Sequence, residues 1–443
     1  MNEAAASSTQ DRHPAPSFAV ALRFWLKLGF VSFGGPSGQI AMMHTEVVEK
    51  KKWLSETHFL HALNFCMLLP GPEAQQLAIY IGWLLHKTRG GIVAGALFVI
   101  PSIFILWALS YIYVAFGHVS SIAAIFYGLK PAVLAIVAAA VIRIGSKALR
   151  NAVRWAIALA AFVAIYFFRV PFPLIIIGAG IVGLIGGKLL PRFFLGSLDD
   201  GARSTSSGRD ILAPPTKRSS LVRVFKTSAT WILIWSLPLA LAGIFLGTQH
   251  TVFREGIFFS KAAVVTFGGA YAVLPYVSQQ AVEHYQWLRA DQMLDGLGLA
   301  ETTPGPLIMV LQFVGFLGGW NHPGNLPPVL AATLGALITT WTTFVPCFLW
   351  VFLGAPYIEK LRGAKQLTAA LSTVTAAVVG VILNLAVWFG MHVIFPPGRN
   401  VDWFALVVCA IAFVGILRWG WNIVPVILGS GLLGLIHTLA GFR

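Results

Sequence analysis

The chain has 443 residues, of which 57% are apolar and only 11% charged, with a mean hydropathy of +0.78. A soluble domain carries roughly a quarter of its residues as charges, so that class is excluded. The formal net charge is +15, but the basic residues lie in short loops between apolar runs, where they encode topology rather than contact nucleic acid.

The polar tail over 1–16 shows no cleavable signal. Apolar stretches of ~20 residues then recur, each long enough to cross ~30 Å of hydrocarbon as a helix. Spans are drawn at 92–116, 120–142, 152–168, 171–190, 228–248, 328–353, 367–394, 402–417 and 419–440. With the shorter segments between them, about 10 to 14 membrane segments are expected of an all-α polytopic membrane protein. The least apolar stretch, 191–226, holds Pro214-Pro215 with Lys217, Arg218, Arg223 and Lys226, and reads as a flexible cytoplasmic linker. It divides the chain into repeats over 17–190 and 227–443.

The two repeats are related. Phe33-Gly34-Gly35 recurs as Phe267-Gly268-Gly269, Lys27 as Lys261, Trp53-Leu54 as Trp287-Leu288, and Pro70-Gly71-Pro72 as Pro304-Gly305-Pro306, all at an offset of 234. Beyond them Pro101 matches Pro346, which places an insertion around Asn321–Pro328. Basic residues alternate between the copies. Lys50, Lys51 and Lys52 face His284–Gln286, and Arg143, Lys147, Arg150 and Arg154 have no basic counterpart around 380–391. Conversely, Lys360, Arg362 and Lys365 fall opposite an uncharged stretch near 115–121. Loops that alternate in this way lie on opposite sides of the membrane, which predicts an inverted-topology repeat; a parallel repeat with drifted surface charges is the alternative.

Segments around the two tripeptides are too short to span, so broken or re-entrant helices are expected there. A helix that starts at membrane depth presents unpaired N–H groups and the positive end of its dipole, a ready anion site. Candidate substrate contacts are therefore Gly34, Gly35, Pro36, Pro70, Gly71, Pro72, Gly268, Gly269, Pro304, Gly305 and Pro306; the plainer reading makes these interface turns. Lys27 and Lys261 each lie six residues before a Phe-Gly-Gly inside apolar helices. They read either as charges that attract an anion or as side chains snorkelling to the interface. Glu73 and Glu301 are candidates for proton coupling, although Glu73 could simply satisfy its own helix N-terminus. Asn64, Gln75, Gln76, Thr302 and Thr303 offer hydrogen bonds to an oxyanion or to a neighbouring helix.

Other signals are weaker. His44, His58 and His61 lack the acidic or Cys partner that a metal site needs. Cys66, Cys347 and Cys409 are isolated, so neither a disulfide framework nor a CxxC site is expected. Gly90-Gly91…Gly95 and Gly183…Gly186-Gly187 read as helix-packing stripes. No haem or dinucleotide fingerprint supports a membrane reductase, and no cofactor is expected.

FGGPS at 33–37, QIAMMHTEVVEKKKW through Trp53 and NFCMLLPGPEAQQLAIYIGW at 64–83 closely resemble the chromate transporter family. FGGAYAVLP at 267–275 and ETTPGPLIMVLQFVGF at 301–316 resemble that family's second domain, with Ala270 a mild departure. The resemblance implies a bacterial inner-membrane exporter of chromate that gives chromate resistance, coupled to the proton-motive force and built from inverted halves. Uptake or exchange of sulfate, with chromate as an analogue, stays open as a second transport reading. Partners are then chromate, with sulfate and a homodimer left open, and the lipid bilayer.

Overall fold

The structure, a computed structural model, describes residues 16–33, 35–194, 221–357, 365–396 and 400–441. Gly34, the linker core over 195–220 and the basic residues Lys360 and Arg362 lie outside the described residues. Among the described residues there are helices and no strands.

The first half runs α1 (Phe18–Val31), α2 (Gly35–His44), α3 (Glu56–Cys66), α4 (Glu73–Phe116), α5 (Ser120–Ala148), α6 (Ala152–Tyr166) and α7 (Phe172–Leu189). The second half runs α8 (Leu221–Phe245), α9 (Thr251–Val265), α10 (Ala270–Ser278), α11 (Ala290–Thr302), α12 (Val310–Asn321) and α13 (Pro328–Gly354). It ends with α14 (Lys365–Val393), α15 (Trp403–Arg418) and α16 (Ile423–Leu439). Caps start several of these helices, because the first-turn N–H groups lack partners within the helix. Ser55 accepts from the His58 amide, Asn151 from Arg154 and Asp402 from Ala405. The linker ends sooner than its charge predicts: Leu221, Val222 and Phe225 carry the apolar pattern of α8 back to Leu221, and Arg223 and Lys226 ride on that helix.

The duplication read from the motifs extends to backbone detail. Helix α2 runs into a π-helical turn at Thr45–Lys50, and α10 into one at Gln279–His284, at the same offset of 234. Each turn is followed by a non-glycine residue with positive φ, Lys52 at 52° and Gln286 at 54°. Trp53 and Trp287 then donate equivalent 2.8 Å bonds to Val47 and Ala281. Helices α5 and α14, 29 residues each, correspond end to end at an offset of 245. Helix α4 is interrupted by non-helical backbone at His86 and Lys87, where the second half has the loop between α12 and α13. Helix α8 precedes the part of the second half that aligns with the described residues of the first.

Six helices are long and apolar enough to cross a membrane, and four shorter apolar helices accompany them. Large apolar side chains such as Phe104, Leu159, Phe168 and Ile244 are exposed. A soluble protein does not present such a surface, whereas hydrocarbon solvates it.

The halves are interlocked rather than side by side. Helix α5 of the first half packs on α15 and α16 of the second, and α14 of the second packs on α6 and α7 of the first. Small residues allow the close approach. A Cβ on Gly128 or Gly434 would collide with the other helix's backbone, and one on Gly183 would meet Ala369 and Ala370. Gly91 and Gly95 receive the rings of Phe352 and Phe348, so these stripes pack helices as expected.

Candidate functional site

The four helix breaks meet in two crossed pairs. The amide of Gly71 donates to the carbonyl of Thr266 at 2.8 Å, and the amide of Gly305 donates to the carbonyl of Ser32 at 2.8 Å. Residues 71 and 305 correspond in the repeat, as do 32 and 266. Each Pro-Gly-Pro turn is thus anchored on the residue preceding the other repeat's Phe-Gly-Gly. Both anchors need glycine, because Gly71 has φ 119° and Gly305 φ 113°, a region that L side chains rarely adopt.

The helices beginning here start without a side-chain cap. Pro72 precedes α4, Gly269 precedes α10, and Pro306 precedes a 3-10 turn at Leu307–Met309 that leads into α12; none supplies a cap bond. The prolines occupy the capping position itself. Gly35 begins α2 with φ 68°, and Pro36 is half-buried beside it. Three helix N-termini, one from the first repeat and two from the second, therefore open at the crossing with uncapped amides.

The two pairs differ in chemistry. Around Gly305 the contacts are neutral: Ser102 Oγ donates to the Pro304 carbonyl at 2.6 Å, and Gln39 Nε2 donates to the Gly305 carbonyl at 2.5 Å and to Ser32 at 3.3 Å. Around Gly71 they are acidic. Gln76 Nε2 holds the Pro70 carbonyl at 2.7 Å, and a Cβ on Gly269 would stand 3.4 Å from Glu73 Oε1. Two residues on, the Tyr271 hydroxyl donates to Glu301 Oε1 at 2.5 Å, while Glu301 Oε2 has no partner among the described residues. The segment Gly269–Tyr271 thus lies against both carboxyl candidates, one from each repeat. Sequence reasoning identified the carboxyls but not Tyr271, Gln39 or Ser102, whose roles depend on contacts 30 to 266 residues away.

The other expected residues are placed as follows. Gln75 is buried, its amide 3.5 Å from the Gly95 carbonyl and its Oε1 without a partner. The Thr302 and Thr303 hydroxyls donate back to carbonyls of α11, so their protons are engaged within their own helix. Gly268 is exposed with φ 85°. Lys27 and Lys261 are exposed on α1 and α9, the helices that lead into the breaks, and they are not buried at the crossing.

Two further groups were not legible in the sequence. Asp295, buried on α11, accepts from the Tyr113 hydroxyl at 2.9 Å and lies 3.7 Å from Lys130 of α5; Arg289 grips the neighbouring Asp291 with two bonds of 3.0 and 2.9 Å. These side chains line a cavity of about 370 Å³ between the repeats. A second cavity, of about 480 Å³, is lined by Arg254, His284, Tyr285, Trp287 and His322 at the far end of α9.

The comparisons agree with this architecture. The family model described as chromate transporter matches residues 20–184 and 254–435, one segment in each repeat and neither including α8. The chromate transport protein of Cupriavidus metallidurans is 27% identical over 96% of this chain and 94% of its own length. That of Pseudomonas aeruginosa is 29% identical over 98% of this chain and 95% of its own. A transporter of Methanocaldococcus jannaschii is 25% identical over 98% of both chains. No solved structure matches. With both repeats matched across a multi-span helical fold, the protein is a membrane transporter, not an enzyme, and belongs to the chromate transporter family.

Proposed function

We propose that this protein exports chromate across the bacterial inner membrane by alternating access, driven by the proton-motive force, and so confers chromate resistance. The observation that carries this reading is the reciprocal crossing of Gly71 on Thr266 and Gly305 on Ser32. It brings uncapped helix N-termini from both repeats to one place inside the protein, where their amides suit the oxygens of a tetrahedral dianion. The relatives named as chromate transport proteins supply the choice of substrate. The alternation of basic loops supports an inverted orientation of the repeats, and such pairs rock about a fixed site. Lys27 and Lys261 add positive charge along the helices leading in, and Glu73 and Glu301 exchange protons beside the site.

The test is chromate accumulation in energised everted inner-membrane vesicles, before and after a protonophore. Accumulation that collapses with the protonophore supports coupled export; accumulation indifferent to it removes the proton roles of Glu73 and Glu301. In the same vesicles the K27Q/K261Q double variant is expected to lower flux while remaining in the membrane at wild-type level. Unchanged flux would remove the lysines from the site.

A further inference from the structure

Glu255, in the first half of α9, is completely buried, and among the described residues neither of its carboxyl oxygens has a hydrogen-bond partner. It fits only because two helices present glycine to it. A Cβ on Gly318 of α12 would collide with Oε1, and one on Gly335 of α13 would stand 2.6 Å from Oε2. The ring of Trp287 borders the same notch, 3.1 Å from the Gly318 Cβ position, and Trp287 also lines the 480 Å³ cavity with Arg254, His284 and His322. An ionised carboxylate without a donor or counter-charge is costly in such a place.

The fold does not require this acid. The corresponding residue of the first repeat, 234 positions earlier, is Ala21, itself buried where α1 packs on α4. The equivalent pair in the second repeat is α9 on α13. One copy makes the contact with a methyl group and the other with a carboxyl that costs stability, which points to use rather than packing.

We propose that Glu255 is a proton-binding site of the transport cycle, loaded from water in the Arg254–His284–His322 cavity when the notch opens and sealed by Trp287 in the state seen here. This rests on proton-coupled export and deepens it. Glu73 and Glu301 exchange protons at the crossing, beside the anion; a further proton site apart from the anion, whose occupancy favours one conformation, couples proton binding to the conformational change itself. Glu255 lies 11 residues before Thr266 on α9, or about 16 Å along the helix at ~1.5 Å per residue. Protonation from the cavity lets the carboxyl enter the notch, and in the opposite conformation of the cycle the proton leaves toward the cytoplasm, so that each turn carries it across the membrane. By the alternation of basic loops the cavity faces the periplasm, the side from which protons enter. The charged and titratable groups around the notch are Arg254 on α9 itself, His250 capping α9, and His284, Tyr285 and His322 across Trp287; α12 and α13 offer glycine.

The experiment compares wild type, E255Q and E255A in everted vesicles, the last variant installing the residue that the first repeat carries. Both variants are expected to lose protonophore-sensitive chromate accumulation yet to retain chromate–chromate exchange in preloaded vesicles. Variants that accumulate chromate like a coupled wild type would overturn the proposal, as would loss of exchange together with accumulation in both. A wild type insensitive to the protonophore would instead remove the coupling itself, and Glu255 with it.

Discussion

Ser102 and Cys347 occupy corresponding positions in the two repeats, and each packs against the central glycine of the other repeat's Pro-Gly-Pro turn. A Cβ on Gly305 would collide with Ser102 Oγ and stand 2.7 Å from its Cβ, while one on Gly71 would stand 2.9 Å from Cys347 Sγ. The crossing is therefore locked from both sides by the same part of the fold, built from a hydroxyl in one copy and a thiol in the other.

Substitution at this lock tests how tightly the crossing is packed. Gly305→Ala adds strain at φ 113° to a collision with Ser102, and about 2–4 kcal/mol is expected from the two together. Cys347→Ser copies the opposite repeat and is expected to cost less than about 1.5 kcal/mol. Thermal unfolding in detergent should show a large drop in midpoint for G305A and a small one for C347S; equal drops would refute the lock.

The inverted orientation proposed for the repeats is open to direct labelling. In a background without the three native cysteines, Lys51→Cys and Tyr285→Cys occupy corresponding places after the π-helical turns of the two repeats. A membrane-impermeant thiol reagent should reach position 285 from outside intact spheroplasts and position 51 only after the membrane is opened. Labelling of both from one side would establish a parallel repeat.

The Lys130–Asp295 pair joins α5 of the first repeat to α11 of the second. Lys130→Ala leaves Asp295 buried with only the Tyr113 hydroxyl, and a loss of about 3–5 kcal/mol is expected. Lys130→Ala with Asp295→Ala removes the stranded charge as well and should unfold later on heating than the single variant. A double variant less stable than K130A would mean that the carboxyl is held by something other than the lysine.

Among the described residues, Tyr271 supplies the only hydrogen bond to the Glu301 carboxyl. Tyr271→Phe should reduce chromate flux several-fold, and adding it to Glu301→Gln should change flux little further, because both variants remove one interaction. Fully additive losses would show that tyrosine and glutamate act independently.

Much of this fold was legible because duplication and hydropathy are written along the chain. The offset of 234 aligned the Phe-Gly-Gly and Pro-Gly-Pro breaks, and it carries over to the π-helical turns and to the positive φ of Lys52 and Gln286. Hydropathy placed spans within a few residues of α5, α7, α13 and α14, because hydrocarbon demands an apolar run of fixed length whatever packs against it. Its one overreach was at α8, where the basic residues that mark a cytoplasmic loop, Arg223 and Lys226, sit on the first turns of a helix.

Partnership was not legible. Nothing local says that Gly71 meets Thr266 rather than its own repeat's Ser32, or that α5 lies on α15 and α16; those choices come from the interlocking of two copies, which buries each break against the other's. Nor does sequence distinguish Glu255 from a surface glutamate, since the glycines that enclose it lie 63 and 80 residues downstream. Composition and periodicity determined that the chain spans a membrane as two related halves, because those are properties of segments meeting a solvent. Tertiary structure alone decided which breaks cross and which acids are stranded without partners, because burial and pairing are properties of neighbours brought together from distant parts of the chain.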